Sequence, residues 1–122
     1  MIDFSNKPYF KLSPDASYGT IVSNILVEGE SVLASFKTVR DGIVFTDKRI
    51  IAVNVQGFTG KKKDFTSLPY SKIQAFSIET AGTFDLDAEL DLTFSGLGTV
   101  RFEFTGRVDM SNIARQIAKR AL

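Results

Sequence analysis

The residues that could do chemistry in this chain come in two runs. Lys61, Lys62 and Lys63 follow a glycine-bracketed stretch, Gly57-Phe58-Thr59-Gly60. Asp85, Asp87, Glu89 and Asp91 fall at every second position further on. The chain of 122 residues has no His and no Cys. That removes the commonest general base, the commonest transition-metal ligand and all thiolate chemistry. An enzyme drawn from this inventory would need a Ser/Lys or a carboxylate pair, and no spacing selects one. The expectation is a protein with no catalytic residues, no metal and no cofactor.

The basic run resembles a phosphate loop only at first glance. Such a loop needs four residues between its glycines, a Ser or Thr after its Lys, and a helix behind it. Here Gly57 and Gly60 enclose two residues, a second Lys follows the first, and the pattern beyond is a strand. A phosphate loop is therefore excluded. The simpler reading of Lys61 to Lys63 is a solvated strand whose lysines resist edge-to-edge aggregation. Contact with an anionic membrane is the other reading. At about 1 kcal/mol per cation, three lysines alone make a weak anchor.

The acidic run would share one face of a strand, with successive carboxylates about 6.6 Å apart. Calcium needs oxygens that converge on a point, and a straight row does not converge. A solvated face is the first reading, a subunit contact the second. Phe4, Tyr9, Phe10 and Tyr18 could form a peptide-binding surface, but aromatics so near the start more simply anchor an arm to the core.

The formal charge is +1, without the basic excess of a nucleic-acid binder. The first residues carry no basic segment leading into an apolar one, and no apolar run reaches membrane-spanning length. A cytoplasmic protein of one domain, residues 1–122, is expected.

These residues are positioned by a β-rich chain. Residues 1–12 have no clear period and read as an arm. Ser13-Pro14 suits a helix start, and Tyr18, Ile21, Val22, Ile25 and Leu26 follow at helical spacing, with Gly29 as the stop. Together, residues 1–31 form the arm and first helix. Strands are predicted over 32–38, 43–46, 49–56, 61–68, 73–80, 88–95 and 100–104. Asp47-Lys48 makes a tight hairpin, and Ile51, Val53 and Val55 share the buried face of a half-buried strand. Asp109 can cap a last helix over 109–122, in which Met110, Ile113, Ala114, Ile117, Ala118 and Ala121 form one apolar stripe. The fold class is mainly β with flanking helices: a barrel of seven antiparallel strands over 32–104, capped by the C-terminal α-helix.

In this order of elements and in several stretches of sequence, the chain resembles the bacterial pleckstrin-homology (PH) domain family. The resemblance lies in Glu28-Gly29-Glu30, Phe36-Lys37-Thr38-Val39-Arg40-Asp41-Gly42, Phe45-Thr46-Asp47-Lys48-Arg49-Ile50-Ile51, Leu68-Pro69-Tyr70 and Glu79-Thr80-Ala81-Gly82-Thr83-Phe84-Asp85-Leu86-Asp87-Ala88-Glu89-Leu90. It implies a PH-like barrel and a closed ring of identical subunits; the expected partners are the chain itself and another protein, with no nucleic acid. Lipid-binding PH domains hold phosphoinositides with several cations around the first hairpin loop. Here that loop offers Lys37 and Arg40 with Asp41 beside them, so a dedicated phosphoinositide pocket is not expected.

The expected subunit interface pairs a basic face, Lys61, Lys62 and Lys63, with an acidic one, Asp85, Asp87 and Glu89. Phe58, Phe65 and Phe84 would supply its apolar contact. Lys37, Arg40, Lys61 and Lys62 are the candidate contacts for an anionic ligand, and membrane contact is the less favoured alternative.

Overall fold

The computed structural model describes residues 1–5, 9–80 and 87–122, the side chains of Tyr9 and Phe10 apart. Among these residues, eight strands form one open sheet. They are β1 (Tyr9–Pro14), β2 (Val32–Lys37), β3 (Gly42–Thr46), β4 (Arg49–Gln56), β5 (Lys62–Pro69), β6 (Ile73–Thr80), β7 (Ala88–Phe94) and β8 (Gly98–Phe104). Their order is β5-β4-β3-β2-β1-β8-β7-β6, so β5 and β6 are the edges. One helix, α1 (Met110–Ala121), follows the last strand.

The expected seven-stranded antiparallel barrel is corrected in two ways. The N-terminal arm supplies an eighth strand, β1, and β1 runs parallel to β8. Its sequence hides it because its pairing is irregular: a register shift falls between Tyr9 and Leu12, and Lys11 takes φ 57. No alternation survives that break, although Leu12 is fully buried. The sheet also stays open, with no pairing between β5 and β6.

The first helix is corrected as well. Ser13 and Pro14 pair with Lys37 and Phe36 of β2, so they belong to a strand. The cap is Asp15, whose Oδ1 accepts from the amides of Ser17 at 3.0 Å and Tyr18 at 3.2 Å. It opens a 3-10 helix over Ala16–Ile25. Thr20 and Ser23 hydroxyls donate to the carbonyls three residues back, at 2.9 and 2.7 Å, and tighten the turn. Gly19 brings this segment close to β2: a Cβ there would lie 3.1 Å from Val32 Cγ1.

That segment also explains why β4 is not half-buried. Ile50 and Ala52 enter the main core, while Ile51 and Val53 join Val22 and Val44 in a second cluster under the 3-10 helix. Both faces of β3 and of the first half of β4 are covered. The main core closes around Leu90, Leu92, Val100, Phe102 and Phe104. α1 plugs it with Met110, Ile113 and Ile117, and Asp109 caps the helix by accepting from the Asn112 amide at 3.0 Å.

Candidate functional site

Two surfaces hold the residues singled out above. The first is the pair of turns joining β2 to β3 and β4 to β5. Asp41 fastens the first turn to the end of β4: its Oδ1 accepts from the Val55 amide at 2.8 Å and its Oδ2 from Asn54 Nδ2 at 3.3 Å. Arg40 completes the clamp, donating from Nη2 to the Gly57 carbonyl at 2.6 Å. Behind them the Tyr18 hydroxyl donates to the Arg40 carbonyl at 3.1 Å. Burial, with the Asp41 charge, pushes that phenol up to about 12.

The cations here are not equally available. Lys37 stands 3.6 Å from Asp15, and Arg40 is engaged by Gly57. Lys61, Lys62 and Lys63 are exposed. Strand alternation puts Lys63 on the side of Phe65, and Lys62 on the side of Asp64. Phe65 is half-buried against the second cluster, whereas Phe58 stands fully exposed at the tip of its turn. Further along edge strand β5, the Ile2 amide donates to Thr66 Oγ1 at 3.0 Å, so the arm sits beside that part of the edge.

The second surface is the outer face of β6, β7 and β8. Register places Glu79 opposite Glu89, and Glu89 opposite Glu103. Like charges directly opposed repel. Arg101 offsets this from β8: its Nε donates to Asp91 Oδ1 at 2.8 Å, and its Nη1 lies 3.5 Å from Glu89 Oε2. Asp91, followed by Glu89, holds the Arg101 guanidinium well above its ordinary value. Partial desolvation, then the charges of Glu89 and Asp87, raise the Glu103 carboxyl. A recess of about 430 Å³ opens here, lined by Lys11, Glu79, Asp87, Glu89 and Glu103.

Sequence reasoning placed Glu89 and Asp91 on one face, but missed Glu79, Glu103 and Arg101. Those three come from neighbouring strands, and only register reveals them. Phe84 and Asp85 lie outside the described residues. Phe4 anchors the arm, packing edge-on to Phe102 with ring centroids 6.1 Å apart. Among the described residues, no helix is long and apolar enough to cross a membrane.

An open, mainly antiparallel sheet closed by a C-terminal helix is the architecture of a PH-like fold. The chain belongs to the bacterial PH domain family, whose model matches residues 10–121. It is 35% identical to a DUF1696 family protein with a pleckstrin-homology domain from Shewanella loihica PV-4, with TM-score 0.78, covering 93% of this chain and 99% of that one. A pleckstrin homology domain from Shewanella amazonensis SB2B is 43% identical, with TM-score 0.65, over 87% of this chain and 86% of that one. Uncharacterized protein YjqA of Bacillus subtilis (strain 168) is 61% identical over 75 residues, 62% of this chain. That match spans 60% of YjqA's own length.

Proposed function

We propose that residues 1–122 act as one non-catalytic PH domain that assembles with copies of itself into a ring and serves as a scaffold for protein contacts. The observation that carries this reading is an open sheet with two unlike edges. β5 begins at Lys62-Lys63, next to Lys61, whereas β6 carries Glu79 near its end, opposite Glu89, which in turn faces Glu103. A heterologous interface needs two different, complementary surfaces, and a rotation that closes makes a ring. Unpaired backbone groups of an edge strand can add to a neighbour's sheet. Charge would set orientation more than affinity, since exposed ion pairs contribute only about 0–1 kcal/mol each. Light scattering at micromolar concentration tests it: the expected result is a discrete multiple of 13.5 kDa, and a monomer mass ends the ring.

A second reading is a peripheral binder of anionic lipid through Lys37, Arg40, Lys61 and Lys62. It is favoured by the two exposed apolar side chains that stand among those cations, Val39 and Phe58.

A further inference from the structure

The segment Ala16–Ile25 is a 3-10 helix through all 10 of its residues. Runs beyond three or four residues are uncommon in this form, because its hydrogen bonds are poorly aligned. The sequence does not ask for it. Tyr18, Ile21, Val22, Ile25 and Leu26 stand at α-helical spacing and would share one face of an α-helix. In the 3-10 form, residues three apart eclipse. Gly19 and Val22 therefore take the buried row, while Tyr18, Ile21, Ile25 and Leu26 stay half-buried around the second cluster. The observed form leaves in water apolar surface that an α-helix would gather onto one side.

The two ends explain the form. At the start, the Asp15 amide donates to the Ser35 carbonyl at 3.0 Å, and the Ser35 hydroxyl donates to the Asp15 carbonyl at 2.6 Å. At the finish, the Ile25 carbonyl accepts from Arg49 Nη2 at 2.8 Å, and the Val27 amide donates to Glu30 Oε1 at 3.0 Å. Ser35 lies on β2 and Arg49 on β4, so the sheet fixes the span between the anchors. A 10-residue segment reaches about 20 Å as a 3-10 helix but only about 15 Å as an α-helix. The α form would fall about 5 Å short of its partners.

We propose that residues 16–26 are a two-state strap. It is a stretched 3-10 helix while both ends are fastened, and it winds into a shorter α-helix when the Arg49 end lets go. The Asp15 end stays, because Ser13 and Pro14 before it are paired with β2. Beyond Ile25 the chain gives way more easily, since residues 27–29 are exposed. The catch is the Arg49 guanidinium. Its Nη2 holds the Ile25 carbonyl, and its Nη1 donates to Ser67 Oγ at 2.9 Å on edge strand β5. A contact at that edge that draws the guanidinium toward Ser67 takes it from Ile25. Winding then moves Ile25 and Leu26 about 5 Å toward Asp15. That uncovers part of the cluster they pack against, which includes Val44 and Ile51. An event at the β5 edge thereby reaches the outer face of β3 and β4 through one bistable element. The device goes beyond the ring and lipid readings and works in a monomer as in an assembly.

Slack is the test. Two glycines inserted between Leu26 and Val27 lengthen a surface loop, where added residues cost little, and leave every anchor in place. Nuclear Overhauser contacts from an α proton to a later amide tell the forms apart: residues two apart mark the 3-10 helix, and residues four apart the α-helix. The parent should show the first kind over 16–25. The insertion variant is expected to show the second kind as well, with a higher ratio of ellipticity at 222 nm to that at 208 nm. The same glycines placed between Ser95 and Gly96 should change neither. Adding Glu30→Leu and Arg49→Met to the insertion removes the catch without stranding a charge, and the α-helix contacts should strengthen further. A folded insertion variant that keeps only the 3-10 contacts overturns the proposal, because packing on β2, and not length, would then hold the form. So does a parent that already shows the α-helix contacts, or winding that follows the insertion at Ser95 equally well. A combined variant that winds no further than the insertion alone overturns Arg49 as the catch.

Discussion

The Glu30 carboxylate meets the Arg49 guanidinium side-on, with Oε2 accepting from Nε and Oε1 from Nη2, both at 2.9 Å. The Glu30 side chain has 0% exposure. The same carboxylate accepts from the Thr46 hydroxyl at 2.6 Å and the Val27 amide at 3.0 Å. Arg49 reaches onward to the Ile25 carbonyl at 2.8 Å and to Ser67 Oγ at 2.9 Å. One ion pair therefore ties the end of the 3-10 helix to β3, β4 and β5. A buried pair adds little over well-packed apolar residues of the same volume, but removing one member leaves a charge stranded.

Glu30→Gln is accordingly expected to cost roughly 3 kcal/mol, read as a lower urea midpoint at unchanged slope. Glu30→Leu combined with Arg49→Met should recover much of that loss. A double variant no more stable than either single change would show that the hydrogen bonds to Val27, Thr46 and Ile25 matter more than the ion pair.

Acid should weaken the fold through the same residue. Hydrogen bonds from Arg49, reinforced by Thr46 and Val27, hold the Glu30 carboxyl at about 2, against an ordinary value of 4.5. The folded state thus favours the carboxylate, so its contribution is complete above pH 4.5 and is lost as pH falls toward 2. That contribution is roughly 3 kcal/mol. Glu103 acts with the opposite sign, because its carboxyl is raised and folding favours its protonated form. Melting temperature against pH should fall through this window in the parent and fall less in Glu30→Gln. Parallel curves would remove Glu30 as the source.

Gly42 opens β3 where the chain has no room for a side chain. A Cβ there would collide with the Phe36 carbonyl oxygen and the Tyr18 ring. Backbone cannot yield as a flexible side chain can, so Gly42→Ala should destabilise by about 1–3 kcal/mol. The Tyr18 ring is the other contact, so Gly42→Ala with Tyr18→Ala should relieve part of the strain. No relief would place the whole cost on the β2 backbone.

Most elements were legible because their burial is one-sided. β7 alternates Ala88, Leu90, Leu92 and Phe94 with polar residues, and its burial follows that alternation. β6 spans the same residues that its sequence pattern predicts, 73–80. Reading failed where the period is broken or doubled. β1 is interrupted at Lys11, and the first half of β4 is buried on both faces because a 3-10 helix covers the face turned away from the main core, a coverage no local pattern announces. The surface features were less legible still. The Glu79–Glu89–Glu103 row and the Arg40–Gly57 clamp each join residues from different strands or turns, and sequence spacing carries no information about which strands become neighbours.

Charge should orient any ring, and reversal tests this directly. Lys61, Lys62 and Lys63 lead into edge strand β5, while Glu79 lies on the opposite edge strand, β6, with Glu89 one strand inward. Replacing the three lysines by Glu would place like charges across the proposed contact, and dissociation at a given concentration should increase. The complementary change is Glu79→Lys with Glu89→Lys, chosen because register sets these two directly opposite each other. Glu89→Lys also puts a cation beside Arg101, now 3.5 Å from Glu89, so this variant alone should lose some thermal stability. Mixing the two variants is the informative experiment. Neither should assemble well with itself, yet the first offers acidic β5 edges to the basic β6 edges of the second. Recovery of the parent mass in a mixture, in alternating composition by native mass spectrometry, is the expected outcome. A mixture that remains dissociated, while each variant stays folded by circular dichroism, would remove charge as the organiser of the assembly.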